Sequence, residues 1–184
     1  MYQFAPACPD EAIVFGACRP GYTEPKLQAW IAFMQSHDIQ RVCCLLSESQ
    51  MVRYPDLLQC YQQTFGADNL CWAPIPDFHL CEVTQLQQKI LPFLSESKQQ
   101  SQKTVVHCRG GLGRTGHILA AWLVFDRGWS TQTAIAAVRA TGRKPDEAVW
   151  AAPFLGKTPW RVKAELHALL DVCRRSSIPA PNDQ

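Results

Sequence analysis

The sequence carries almost no excess of charge of either sign. Its 184 residues include 18 Lys and Arg against 16 Asp and Glu, a formal net charge of +2. Binding to nucleic acid needs concentrated positive charge, so we expect no nucleic-acid partner, and any basic region must be local. Long apolar runs are absent too. None approaches the roughly 18 residues of a membrane span, and we expect no membrane insertion.

Signals for secretion, disulfides and metal binding are also missing. The start of the chain lacks the basic segment and apolar core of a signal peptide. The nine cysteines are odd in number, and no two of them have the C-x-x-C spacing. These absences argue against a disulfide framework and a metal site. We expect a cytoplasmic protein without metal or other cofactor, in which most cysteines are small buried apolar residues.

The composition that remains is that of a globular protein. Hydrophobic residues make up 47% of the chain and charged residues 18%. Such proportions exclude a disordered chain, and the length suits one domain. We predict a single monomeric domain over residues 1–175. Pro179 and Pro181 favour a disordered tail over residues 176–184.

Strand and helix patterns alternate along the chain. Short β-branched or apolar runs bounded by turn residues predict strands, and apolar residues at helical spacing predict helices. The predicted strands are 12–15, 41–46, 70–75 and 104–106, and the predicted helices are 23–36, 55–65, 82–98 with a bend at Pro92, 115–127, 131–140 and 159–174. This alternation predicts an α/β fold whose central, mostly parallel sheet is flanked by helices on both faces.

The segment from His107 to Gly116 reads HCRGGLGRTG and joins a predicted strand to a predicted helix. A glycine-rich loop in that position turns backbone N–H groups inward at the positive end of the helix dipole, where an anion binds. This loop begins with Cys108 and ends with Arg114. The pattern therefore predicts an anion site that contains a nucleophile.

The residue types of the loop suit attack on phosphorus. A cysteine reacts as its thiolate, which inward N–H groups and a nearby guanidinium favour. Arg114 can hold two phosphate oxygens at once, and fixed donors stabilise the charge of phosphoryl transfer. Two plainer interpretations are a structural cysteine and a nucleotide-binding loop. The G-x-x-x-x-G-K-[ST] pattern of the latter is absent.

The pattern His107-Cys108-x5-Arg114-Thr115 resembles the signature of the cysteine-dependent protein tyrosine phosphatases. Over residues 12–142 the chain is most similar to atypical dual-specificity phosphatases of the kinase-associated type. The resemblance implies their fold, with Cys108 as the nucleophile, Arg114 binding phosphate and Thr115 donating a hydrogen bond to the leaving sulfur. His107 would support the loop from behind. The implied substrate-binding residues are Arg109, Gly110, Gly111, Leu112, Gly113 and Arg114.

The same resemblance implies a general acid on a loop about thirty residues before the cysteine. Asp77, within the segment PIPDFH, has that position. It would protonate the leaving oxygen and later serve as the base for the attacking water. A plain turn aspartate is the alternative. For His79, substrate contact and a solvated side chain both stay open.

One feature departs from the family pattern. Many relatives have a glutamine or asparagine in a later loop that positions the hydrolytic water, and no clear equivalent follows Arg143-Lys144-Pro145 here. The water is then held by Asp77 alone or by a residue that the sequence does not assign. Asp146 and Glu147 are expected to be solvated loop charges rather than a second acid.

These residues predict a phosphatase of phosphorylated proteins, acting on phosphotyrosine and on phosphoserine or phosphothreonine through a cysteinyl phosphate. The loop contains no lysine and has an apolar residue at Leu112, which favours protein over polyphosphorylated lipid. The alternatives are a phosphatase of phosphoinositides or small phosphoesters, and a catalytically weak module that binds phosphoproteins. Retention of Cys108, Asp77, Arg114 and Thr115 argues against the last.

Overall fold

The strand that leads into the glycine-rich loop lies at the centre of the sheet. The computed structural model describes residues 2–175. Its strands are β1 (Ala5–Pro6), β2 (Val14–Cys18), β3 (Arg41–Cys44), β4 (Leu70–Trp72) and β5 (Thr104–Cys108). They lie in the order β1-β2-β5-β3-β4, and every neighbouring pair is parallel except β1 with β2.

The helices fill the connections between these strands. They are α1 (Glu24–Ser36), α2 (Glu48–Met51), α3 (Leu57–Phe65), α4 (Val83–Gln85), α5 (Leu91–Gln99), α6 (Gly113–Arg127), α7 (Thr131–Ala140), α8 (Glu147–Ala151) and α9 (Pro159–Arg175). A π-helical turn, Leu86–Ile90, joins α4 to α5, and 3-10 turns occupy Ala67–Asn69 and Ala152–Leu155. Within the described residues, no helix is long and apolar enough to cross a bilayer.

Helices cover both faces of the sheet because successive side chains of a strand point to opposite sides. All five residues of β5 are buried. Val105 belongs to the apolar cluster that contains Trp30 of α1 and Tyr61 of α3. Val106 belongs to the opposite cluster, with residues of α5, α6, α7 and α9 such as Leu119. The predicted α/β fold with a mostly parallel, two-sided sheet is therefore confirmed.

All four predicted strands have at least one wrong end: β3 ends at Cys44 rather than at residue 46, and β5 continues to Cys108 rather than ending at residue 106. Strand β2 does not stop at Gly16 but continues to Cys18, because Gly16 pairs in register with Val106 of β5. Strand β4 ends at Trp72 rather than at residue 75. Prolines at 74 and 76 have no N–H to donate, so the ladder cannot continue there.

The helix predictions were wrong mainly at the ends. Helix α6 begins at Gly113, two residues before the predicted start, and α3 begins at Leu57 rather than at residue 55. The irregularity predicted at Pro92 lies one turn earlier, in the π-helical segment. Strand β1 and helices α2 and α8 were not predicted, since each is too short for a periodic pattern. The predicted tail, 176–184, lies outside the described residues.

Candidate active site

The glycine-rich loop opens at the carboxyl end of β5, where open α/β sheets commonly bind ligands. Cys108 is the last residue of β5, and α6 begins at Gly113. Gly111 has φ +71°, and a Cβ there would lie 2.6 Å from the backbone of Ala17. Only glycine lets the loop turn so tightly against the end of β2. The predicted strand, loop and helix order is therefore present.

A pocket of about 200 Å³ contains most of the predicted site residues. Its lining consists of Asp77, Phe78, Cys108, Arg109, Gly110, Leu112, Arg114 and Glu147. Cys108 is only 3% exposed, so its thiol faces this pocket rather than bulk solvent. Gly111, Gly113, Thr115 and His107 are not among the lining residues. The structure thus brings the candidate nucleophile, cation and acid into one small cavity.

Arg114 is held by acceptors from three segments of the chain. Its side chain is 3% exposed, and Nη2 lies 2.8 Å from Oδ1 of Asp77. Nη1 donates to Oε1 of Gln50 at 2.8 Å and to the carbonyl of Ile75 at 2.9 Å. A buried guanidinium with charged and neutral acceptors is firmly oriented. Its planar fork is therefore fixed at the wall of the pocket.

Asp77 makes three contacts across the pocket. Besides Arg114, its Oδ2 atom lies 3.4 Å from Nη1 of Arg109 and accepts from Nε2 of Gln50 at 3.2 Å. The next residue, Phe78, has φ +61°, a conformation that bulky side chains rarely adopt. Nδ1 of His79 lies 2.8 Å from the Asp77 carbonyl, so His79 contacts its own loop and lies outside the catalytic pocket.

Gln50 was missed by the sequence reasoning. It lies in α2 and bridges the acid and the cation, with its amide N–H on Asp77 and its carbonyl oxygen on Arg114. The backbone N–H of Ser47 also donates to Gln50 Oε1, at 3.3 Å. The spacing of Ser47 and Gln50 is that of a capping box, a signal that could have located the start of α2.

Two predicted supporting residues are buried outside the pocket. His107 Nε2 lies 3.2 Å from the hydroxyl of Tyr61. Burial lowers the pKa of His107 to about 3, so the ring is neutral. The hydroxyl of Thr115 is buried and has no hydrogen-bond partner among the residues that the structure describes. Its expected hydrogen bond to the Cys108 sulfur is not formed here.

Arg143 holds the glycine-rich loop from outside the pocket, and this role was not predicted. The buried Arg143 donates to the carbonyl of Gly111, and its Nη2 donates to Gly16 at 2.6 Å, Gln3 at 2.9 Å and Ala5 at 3.2 Å. Burial lowers the pKa of Arg143 to about 10, which leaves it charged at neutral pH.

His117 connects its own helix, α6, to the segment that follows the loop containing Asp77. Its Nε2 accepts the N–H of Cys81 at 3.2 Å, and burial lowers its pKa to about 4. The acceptor role requires a neutral ring. Nothing in the local sequence marks His117 or Arg143, because their partners are distant along the chain.

The neighbouring acids Asp146 and Glu147 have different surroundings. Asp146 forms an ion pair with Arg139 at 2.7 Å and accepts from the indole N–H of Trp150. Glu147 lines the catalytic pocket, and its carboxylate packs on Gly113 so closely that a Cβ there would overlap it. The expectation that both are solvated loop charges is therefore wrong for Glu147, because the chain after Pro145 turns it inward.

Comparison with known proteins identifies the class to which this fold and site belong. A model of the dual-specificity phosphatase catalytic domain matches residues 22–149. The chain belongs to the dual-specificity phosphatase family, within the superfamily of cysteine-dependent tyrosine phosphatases. No curated protein sequence matches it.

Solved structures show the same fold. The active form of Tk-PTP is 26% identical, with a TM-score of 0.64 over 86% of this chain and 93% of that one. A kinase associated phosphatase with its catalytic-site cysteine replaced by serine is 22% identical, with a TM-score of 0.68 over 90% and 89%. PTPMT1 in complex with PI(5)P is 14% identical, with a TM-score of 0.65 over 92% and 97%.

Arg143→Met should lower the free energy of unfolding by about 3 kcal/mol, because four backbone carbonyls lose a buried charged donor. Urea titration measures the loss. Arg161→Met is the matched control, since its pair with Glu165 is exposed and such pairs contribute about 0.5 kcal/mol. Equal losses in the two variants would contradict the role assigned to Arg143.

The two buried histidines predict how stability depends on pH. Their pKa values of about 3 and 4 in the folded state lie below 6.5, so the unfolded chain binds more protons as the pH falls. Their stabilising contribution is complete above pH 6.5 and is lost below it, by up to about 1.4 kcal/mol per pH unit for each histidine.

Urea titrations between pH 7 and pH 5 measure this slope. His117→Gln should reduce it, whereas His37→Gln, at an exposed position, should not. An unchanged slope in the His117 variant would show that this ring is not held neutral.

Proposed function

We propose that this chain is a protein phosphatase that hydrolyses phosphotyrosine and phosphoserine or phosphothreonine through a cysteinyl phosphate. The observation that carries the proposal is the small pocket in which Cys108, Arg114 and Asp77 meet. The family assignment supports a phosphatase. All the chemistry proposed below uses side chains and backbone amides of the chain and requires no metal.

In the proposed first step, the Cys108 thiolate attacks phosphorus and the bond from phosphorus to the leaving oxygen breaks. Arg114 and the amides of the loop hold the phosphoryl oxygens, on which charge spreads in the transition state. Asp77 gives its proton to the leaving oxygen. Since Asp77 and the phosphate share Arg114 as partner, substrate binding would free the Asp77 carboxyl group, which would take up a proton from solvent before giving it to the leaving oxygen.

In the proposed second step, water displaces the sulfur from the cysteinyl phosphate. The hydroxyl of Thr115 would stabilise the departing thiolate. This role is supported by the place of Thr115 on the first turn of α6 and by its buried hydroxyl, which has no partner among the described residues. Gln50 would hold the side chains of Arg114 and Asp77 in fixed positions relative to each other through both steps.

An exposed apolar surface beside the pocket favours a second candidate, a phosphatase of phosphoinositides or other apolar phosphoesters. We call this surface the apolar rim; it consists of Phe78, Trp150, Phe154 and Leu155. Trp150 is 75% exposed and Phe154 is 92% exposed, which is unusual for such large side chains. From 148 to 164 the chain has three basic residues and no acidic one. PTPMT1, a structure of similar fold, was solved with PI(5)P.

Substitution of the reacting groups tests the proposed chemistry. With a chromogenic aryl phosphate and a chelator present, Cys108→Ser should lower kcat by at least about 1000-fold, because serine is a far weaker nucleophile here. Asp77→Asn should lower it by about 100-fold through loss of the acid. Cys60→Ser, at a half-exposed cysteine of α3, is the control. Full activity of the Cys108 variant would refute the mechanism.

A substrate panel separates the two candidates. The leading proposal expects kcat/KM to be higher for phosphotyrosine and phosphothreonine peptides than for short-chain phosphoinositides, with Phe154→Ser changing peptide turnover little. If phosphoinositides are the better substrates and Phe154→Ser lowers their kcat/KM about 10-fold, the second candidate is correct. Val52→Ser is a matched control, at an exposed apolar residue outside the apolar rim.

A further inference from the structure

Glu147 is a second carboxylate in the catalytic pocket, and the chemistry described so far does not use it. It is the first residue of α8 and lines the same cavity as Cys108, Asp77 and Arg114. Its carboxylate lies over Gly113, where any side chain at that position would collide with it. The loop and α8 therefore hold the carboxylate in place at the wall of the pocket.

The surroundings of Glu147 suit proton acceptance. Burial and the negative charge of Asp77 raise the pKa of its carboxyl group, whereas the Gly113 backbone, Arg114 and Lys144 act in the opposite direction. A carboxylate with a raised pKa is a stronger base toward water than an ordinary surface carboxylate. Burial among fixed neighbours also limits the positions that the carboxylate can take.

Other polar groups of the site already have a role or partners. Asp77 is the acid of the proposed first step, and without substrate it is paired with Arg114 and Arg109 and bonded to Gln50. The amide of Gln50 is divided between Asp77 and Arg114, and no glutamine or asparagine lines the catalytic pocket in the part of the chain that the structure describes. Asp146 pairs with Arg139, away from the pocket. Glu147 is the lining carboxylate without an ion pair among the described residues.

We propose that Glu147 is the catalytic base of the second half-reaction, the hydrolysis of the cysteinyl phosphate; this inference rests on the proposed function. Glu147 orients a water molecule toward phosphorus and takes one of its protons. A bond forms between the water oxygen and phosphorus, the bond between phosphorus and sulfur breaks, and the electron pair returns to Cys108 as the thiolate. Inorganic phosphate leaves, and Glu147 loses the proton to solvent.

The proposal divides the acid and base work between two residues. Asp77 is the acid of the first half-reaction, and Glu147 takes the role of base in the second, which the family resemblance implies for Asp77. Two titratable groups whose surroundings differ are the usual arrangement when an acid and a base work at the same pH. The division also explains how hydrolysis proceeds without the side-chain amide that many relatives use at this stage.

Glu147→Gln tests the base role directly, because glutamine keeps the size of the side chain and an oxygen beside Gly113 but cannot take a proton. With an aryl phosphate, we expect kcat to fall about 100-fold while kcat/KM, which reports formation of the cysteinyl phosphate, stays within about 3-fold. Rapid acid quench and intact-mass measurement should show that phosphoenzyme accumulates. Asp77→Asn should instead lower kcat/KM without such accumulation.

A second variant tests the proton transfer by chemical rescue. Glu147→Ala should also accumulate phosphoenzyme, and added formate should accelerate its decay by replacing the missing carboxylate. Formate should not accelerate decay in Glu147→Gln, where the amide fills the space. Asp146→Asn, the adjacent acid paired outside the pocket, is the matched control and should show wild-type kinetics. Urea titration of each variant checks that it is folded.

Two results would overturn the base role alone: decay of the phosphoenzyme at the wild-type rate in Glu147→Gln, or an equal fall of kcat and kcat/KM without accumulation. Either would leave the proposed function intact, since phosphoenzyme would still form on Cys108. If no variant and no wild-type sample forms phosphoenzyme, and Cys108→Ser keeps its activity, both the proposed function and the base role fail.

Discussion

The burial of the Arg114 guanidinium is the constraint on which the rest of the site depends. A cation that is 3% exposed must be matched by acceptors, because a buried unpaired charge costs several kcal/mol. The acceptors come from Gln50 in α2, from the Ile75 carbonyl after β4 and from Asp77. Arg114 of α6 thereby holds the loop containing Asp77 and the short helix α2 next to Cys108.

A second buried guanidinium shapes the same loop from outside. Arg143 donates to the carbonyl of Gly111 and to carbonyls of β1 and β2, so the loop is fixed to the edge strand and to the strand beside β5. The two buried arginines have different partners and therefore different roles. Arg114 faces the pocket and binds Asp77 and Gln50, whereas Arg143 binds backbone carbonyls and fixes the shape of the glycine-rich loop. The rigidity of the glycine-rich loop matters because its backbone N–H groups, once fixed in position, stabilise charge without first having to reorient.

The fold and the centre of the site could be predicted because their signals are local. The alternation of short apolar runs and helical patterns predicts the sheet and its helices, and the segment from His107 to Gly116 contains the candidate nucleophile Cys108, the glycine-rich loop and Arg114 within ten residues. Strand ends were less predictable, since pairing with β5 carries β2 through Gly16. Gln50 and Arg114 are 64 residues apart, and no local pattern connects them.

The sequence by itself determined the kind of chemistry, because residue types and backbone geometry within one strand, loop and helix are enough to define an anion site with a thiol. Only the tertiary structure decided which carboxylates face that site. Asp146 and Glu147 are adjacent, yet their side chains point in opposite directions. The Asp146 carboxylate points away from the pocket and pairs with Arg139, whereas the Glu147 carboxylate points into the pocket over Gly113. The reason is steric and electrostatic: Gly113 has no side chain to exclude Glu147, and the ion pair with Arg139 keeps Asp146 outside.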